Sequence, residues 1–111
     1  MLVRNRDEVE IVTYSGDAQG VEMRPLITER DGAPRFAMRV FTLAPDGHTP
    51  YHSHEWEHEV YILAGTGTVR GKDGECALRT GDSVYLGPHE EHQFRAGQTG
   101  LQFICCVPHH Q

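Results

Sequence analysis

The block Gly47-His48-Thr49-Pro50-Tyr51-His52-Ser53-His54-Glu55-Trp56-Glu57-His58-Glu59 gathers imidazole and carboxylate side chains into one short span. Eight histidines among 111 residues exceed what a surface needs, since histidine serves chiefly as a metal ligand or a proton-exchanging group near neutral pH. In an extended segment side chains at i and i+2 share a face, so His52 and His54 can aim both rings at one point. If a short loop returns the chain as the antiparallel neighbour, His58 enters the same space, with Val60 and Ile62 continuing that inward face. A fourth imidazole, His92, ends the run from Gly81, where a strand, a turn and a new strand bring it to a wall. His48, His89, His109 and His110 read as turn or tail residues.

Four neutral imidazoles make a borderline donor set that suits divalent manganese, iron, zinc, copper, nickel or cobalt. In an octahedral ion they leave two positions for water, dioxygen, peroxide or a chelating substrate. With no carboxylate among the ligands, the ion keeps its +2 charge and favours anionic partners. Because the ligands must be deprotonated, metal is expected to leave as pH falls through the ordinary histidine range, about 6 to 6.5.

The elements that must position these rings are strands. No window keeps the i, i+3, i+4, i+7 apolar spacing of a helix beyond a turn or so. Short runs rich in β-branched and aromatic residues alternate instead with turn formers, which predicts an all-β single domain, a small barrel spanning residues 1–111. The expected strands are 21–28, 36–43, 51–54, 58–63, 66–70, 75–79, 83–86, 92–95 and 101–107. Asp31-Gly32, Asp46-Gly47 and Asp73-Gly74 should each reverse the chain, and Pro88 and Pro108 should end strands. Residues 1–20 alternate poorly and read as an outer strand or an arm onto a partner subunit.

Composition excludes several classes. Ten Lys and Arg against sixteen Asp and Glu give a net charge of −6 with no basic run, which argues against nucleic acid. The longest apolar stretch, residues 60–64, cannot span a bilayer, and the amino terminus lacks a secretory apolar region, so no membrane role and a cytoplasmic address are expected. Three cysteines, two of them adjacent, allow no disulfide framework that uses all of them, and read as reduced thiols.

These motifs resemble the cupin superfamily. Its first motif places His-x-His, three or four residues, Glu, six residues and Gly in order; here His52-x-His54 is followed by three residues, His58, six residues and Gly65. Histidine thus stands at the usual glutamate position. A four-residue gap would instead select Glu59 as third ligand, but only His58 keeps six residues to Gly65. Gly81 to His92 matches the second motif, with Gly87-Pro88-His89 where the family commonly has Pro-x-Gly. The chain is most similar to small single-domain cupins that bind manganese through four histidines and carry a His-Ser-His-x-Trp-Glu-His-Glu signature, and the strands FAMRVFT and FICCVP look like theirs. The resemblance implies a double-stranded β-helix (jelly-roll) barrel, Mn(II) or another divalent transition metal held by His52, His54, His58 and His92, and a homodimer. It also puts Cys105 inside, near the metal pocket, where the residue is otherwise a small buried hydrophobe.

The expected pocket is apolar, lined by Met38, Val40, Val60, Ile62, Phe94 and Phe103, and so suited to a small, partly hydrophobic substrate. Arg39 is either a pocket charge that attracts an anion or an outward side chain on the sheet. Trp56 reads as an anchor packing its loop over the barrel. The resulting functional expectation is a metal-dependent oxidoreductase of dioxygenase type that activates dioxygen or peroxide, with oxidative C–C or C=C cleavage. The alternatives are a non-catalytic metal-containing binding module, and an isomerase or lyase using Tyr51, Tyr61 or Glu59 as acid or base.

Overall fold

The structure, a computed structural model, describes residues 1–14 and 16–109. Among them are seven strands and no α-helix: β1 Val12–Thr13, β2 Gln19–Ile27, β3 Phe36–His48, β4 His58–Gly71, β5 Gly74–Arg79, β6 Ser83–Leu86 and β7 Gln93–Pro108. Two short 3-10 turns, Arg6–Glu8 and Glu29–Asp31, are closed by capping boxes from Asn5 and Thr28. No helix among the described residues is long and apolar enough to cross a membrane.

All pairings are antiparallel, in the order β1-β2-β3-β7-β4-β5, and β6 pairs with the first part of β4, His58–Tyr61. Closure comes from length and bending. Strand β4 meets β7 twice, Glu59–Ala64 against Cys106–Gln102 and Gly67–Arg70 against Ala96–Gln93, with register slips at Ile62/Ala64 and Gly65/Gly67. The long strands β3, β4 and β7 therefore serve both layers of a double-stranded β-helix barrel. Gly65, at φ 85°, sits where a Cβ would overlap the Gly100 carbonyl oxygen, so the bend needs a residue without one.

The nine expected strands become six, two pairs of them merged by bends and 51–54 lost, and β1 is a seventh outside those nine runs. Runs 58–63 and 66–70 are one strand, as are most of 92–95 and 101–107, because glycines curve a strand that their turn propensity suggests they should end. Asp46-Gly47 does not reverse the chain: Asp46 adopts φ 63° inside β3, which shifts register against β7 between Leu43 and His48. Asp73-Gly74 does close a hairpin, with Gly71 paired to Gly74. Residues 51–54 form no strand, and their single ladder contact is a bridge from His52 to His92. Of the first twenty residues, β1 adds an edge to β2, Arg4 bonds Asp31 at 2.9 Å and the Leu26 carbonyl, and Arg24 bonds Asp7 at 3.1 Å.

Alternation fills the interior. Ala37, Arg39, Phe41 and Leu43 of β3, His58, Val60 and Ile62 of β4, and Leu101, Phe103, Cys105 and Val107 of β7 face inward, and Leu43, Ile62 and Cys105 are almost wholly buried. Replacing Gly65 with alanine should cost at least about 2 kcal/mol, from left-handed strain plus the clash with Gly100. Urea denaturation of the variant beside the wild type measures this, and an unchanged midpoint would contradict it.

Candidate metal centre

The segment between β3 and β4 crosses the barrel mouth and is laced by main-chain bonds to the segment that enters β7. Thr49 N–H donates to the Phe94 carbonyl at 2.9 Å, and Phe94 N–H donates to Thr49 Oγ1 at 2.9 Å. His52 N–H donates to the His92 carbonyl at 3.1 Å, His92 N–H returns the bond at 2.9 Å, and His89 N–H reaches the His54 carbonyl at 2.6 Å. A reciprocal pair of this kind holds two side chains on one side of the ladder, and the His52 and His92 rings stand 4.8 Å apart.

His54 lies 5.2 Å from His52 and 5.1 Å from His92, and His58 lies 4.3 Å from His54 and 5.3 Å from His92, all between ring centroids. One potential ligand atom from each of His52, His54 and His92 falls within 4.8 Å of the others. His58 stands beside this trio, its ring nearly parallel to His54 at 13°. The second nitrogen of three rings is already engaged. His54 Nδ1 donates to the Trp56 carbonyl and His92 Nδ1 to the Glu90 carbonyl, each at 2.8 Å, and His58 Nδ1 lies 3.3 Å from Cys105 Sγ. A carbonyl only accepts, so the proton sits on Nδ1 of His54 and His92, leaving Nε2 of the neutral ring free as a ligand. His58 Nε2 is buried without a hydrogen-bond partner. An orphaned buried nitrogen beside three converging imidazoles is what a metal ion would satisfy.

Electrostatics keep the rings in the ligand form. Burial, reinforced by neighbouring His54, Arg39 and His92, pushes the His58 pKa down to about 3. Burial, with His92, His54 and Arg39, brings His52 to about 4, and burial lowers His54 as well. Neutral imidazoles thus face the mouth well below the pH at which a free histidine takes up a proton.

The rings open onto a cavity of about 220 Å³. Arg39, Phe94, Phe103 and Cys105 line it as expected, and Glu59 points outward while His58 points in, at 8% exposure. Met38 and Val40 do not line it. With Arg39 inward, strand alternation turns both to the outer face of the sheet, where Val40 is buried, at 4% exposure, beside Arg6, Asp7 and Arg24. Val60 and Ile62 do face inward but pack in the core, at 3% and 0% exposure, without reaching the cavity wall. Tyr51 and Tyr61, nominated as acid or base, also lie outside it.

Sequence reading missed Tyr14, Val21, Phe41, Thr49 and Pro50 on the wall. Phe41 was within reach, since it shares parity with Arg39. Tyr14 was not, because nothing in its poorly alternating segment directs it inward. Trp56 is both anchor and wall: it packs against the core, lines the cavity and stacks on His54 at 4.4 Å and 4°. His109 is pinned, its Nε2 donating to the Ala33 carbonyl at 2.6 Å, and His110 lies outside the described residues.

These shifts move the expected pH response. A histidine whose pKa is depressed by folding favours the folded state above its unfolded value, about 6.5, and that advantage is lost as pH falls toward the folded value. Chelator-treated protein should therefore lose thermal stability progressively from pH 6.5 down to about 4 for His52 and about 3 for His58. Metal release moves below the ordinary histidine range for the same reason. Calorimetry across that window checks this, and a melting temperature flat between pH 6.5 and 4 would contradict it.

Comparison with known proteins agrees with this geometry. No curated protein matches the chain by sequence. Among solved structures it is similar to the polyketide cyclase RemF of Streptomyces resistomycificus, with 31% identity, TM-score 0.90, and coverage of 97% of this chain and 79% of that one. A cupin 2 conserved barrel protein of Rhodopseudomonas palustris gives 25%, 0.84, 93% and 73%. A predicted oxalate decarboxylase from Thermotoga maritima gives 26%, 0.82, 96% and 98%. The cupin domain model matches residues 39–107, the stretch that carries all four histidines and every strand from β4 onward, and the chain belongs to the cupin family.

Proposed function

We propose that this cupin is a metal-dependent oxidoreductase of dioxygenase type, with His52, His54, His58 and His92 holding Mn(II) or Fe(II). The observation that carries the reading is the convergence of His52, His54 and His92, the last two with engaged Nδ1 atoms, beside the orphaned Nε2 of His58. A redox-active divalent ion bound there would supply a place to bind and activate dioxygen or a peroxide, for oxidative C–C or C=C cleavage beside it. The chain's own part is to hold a small substrate against Phe41, Phe94 and Phe103 and keep water from the apolar wall. Of the acids and bases expected for an isomerase or lyase, Glu59, Tyr51 and Tyr61 all lie away from the cavity.

A second reading, ring closure without net oxidation, draws support from the likeness to RemF across 97% of this chain. We also infer a homodimer, because the outer sheet face leaves Phe36, Tyr61 and Tyr85 exposed and a two-fold partner is the simplest cover.

Elemental analysis of protein purified without added metal should find a transition metal, and alanine at His52, His54 or His92 should weaken its retention more than about tenfold. Manganese- or iron-loaded protein should consume oxygen with small aromatic enols or alkenes. Cyclised product without oxygen uptake would move the reading to RemF-like chemistry, and no turnover at all would leave a metal-containing binding module. Light scattering that returns a monomer would remove the dimer.

A further inference from the structure

The chain carries sixteen Asp and Glu and a net charge of −6, yet among its described residues no carboxylate lines the cavity. The permanent charge there is the guanidinium of Arg39. Its central carbon lies 5.1 Å from the Phe41 ring centroid, its Nη2 donates to Cys105 Sγ at 3.3 Å, and its Nε is buried without a hydrogen-bond partner. It forms no salt bridge with any described residue. A cation withdrawn from water against an aromatic face and a thiol is poorly compensated, and a bidentate anion is the partner its planar fork matches.

The rest of the wall specifies what the anion is attached to. Tyr14, Phe41, Phe103 and Phe94 follow one another at 6.0, 5.1 and 4.6 Å between centroids, all within 30° of parallel from one ring to the next. Trp56 also lines the cavity, stacked on His54. A dry cavity of about 150 Å³ suffices for benzene, so the space of about 220 Å³ accommodates one ring with a small charged substituent. Cys105 Sγ, 3.3 Å from both Arg39 Nη2 and His58 Nδ1, sets the guanidinium close to the imidazole cluster. A short ligand can therefore touch both.

We propose that Arg39 is the anion anchor of this cavity and selects small, single-ring aromatic carboxylates, clamping the carboxylate while the ring lies along the Phe41–Phe103–Phe94 wall. The inference rests on reading this cavity as the substrate site and adds the class of substrate. It does not depend on which ion is bound, or on oxidation.

Trp56, the single tryptophan, lines the cavity and reports its occupancy. Fluorescence titration of the full chain with benzoate and with benzamide, as purified and after dialysis against EDTA, separates charge recognition from ring recognition and from the ion. Benzoate should bind at least about tenfold more tightly than benzamide in both preparations. Arg39→Met should weaken benzoate about 10- to 100-fold and leave benzamide and metal content unchanged, while Arg39→Lys, which keeps the charge and loses the fork, should fall between. Equal affinity of the wild type for benzoate and benzamide overturns the proposal whatever the variants do. So does benzoate preference seen only in undialysed protein, which would assign recognition to the ion, or a folded Arg39→Met protein that binds benzoate normally. Preference seen in both preparations, in protein that carries no metal even as purified, would sink the metal reading and leave Arg39 standing.

Discussion

The reciprocal main-chain hydrogen bonds between His52 and His92 are the constraint on which the site depends. Neither residue belongs to a strand, so their ring positions are not inherited from a continuous ladder. Two bonds join the segment leaving β3 to the segment entering β7, and the Thr49–Phe94 pair next to them fixes the same register. Once that register is set, i and i+2 spacing delivers His54, and the first inward position of β4 delivers His58. Four rings drawn from three places in the chain then share one small volume.

Charge is segregated as firmly as geometry. An acidic chain keeps every described carboxylate off the cavity wall and leaves there Arg39 and neutral imidazoles. Burial and mutual proximity hold His52, His54 and His58 below the ordinary histidine range, so the rings do not repel one another or the guanidinium at neutral pH. The same environment would make an added carboxylate there welcome electrostatically, which is why its absence from the lining points outward, to a ligand.

Much of this was legible in the sequence, for identifiable reasons. The four histidines announced themselves because metal chemistry demands particular residue types at particular spacings, and β4 parity separates His58 from Glu59 without further information. The barrel was legible because β-branched runs and Asp-Gly pairs recur. The bends were less so: Gly65 and Gly100 carry turn propensity, and only the cross-strand clash a Cβ would make reveals that they curve a strand. Asp46-Gly47 misled in the same way, as a bulge residue inside β3 uses the same positive φ that a hairpin would. Apolar character alone puts Met38 and Val40 in the pocket, but alternation around Arg39 forbids all three from facing one way. Tyr14 reaches the cavity through the path of an edge strand that no local pattern encodes.

Two of the four imidazoles ride on the mouth segment, one begins β4 and one precedes β7. Held together by a single ion, they would become a covalent-like rivet between a span with almost no ladder of its own and the two strands that pair most extensively in the barrel. Loading would then favour the closed mouth over its locally open forms, because the ligand set exists only when the mouth is folded. In such a molecule, occupancy and resistance of that span to proteolytic nicking rise and fall together.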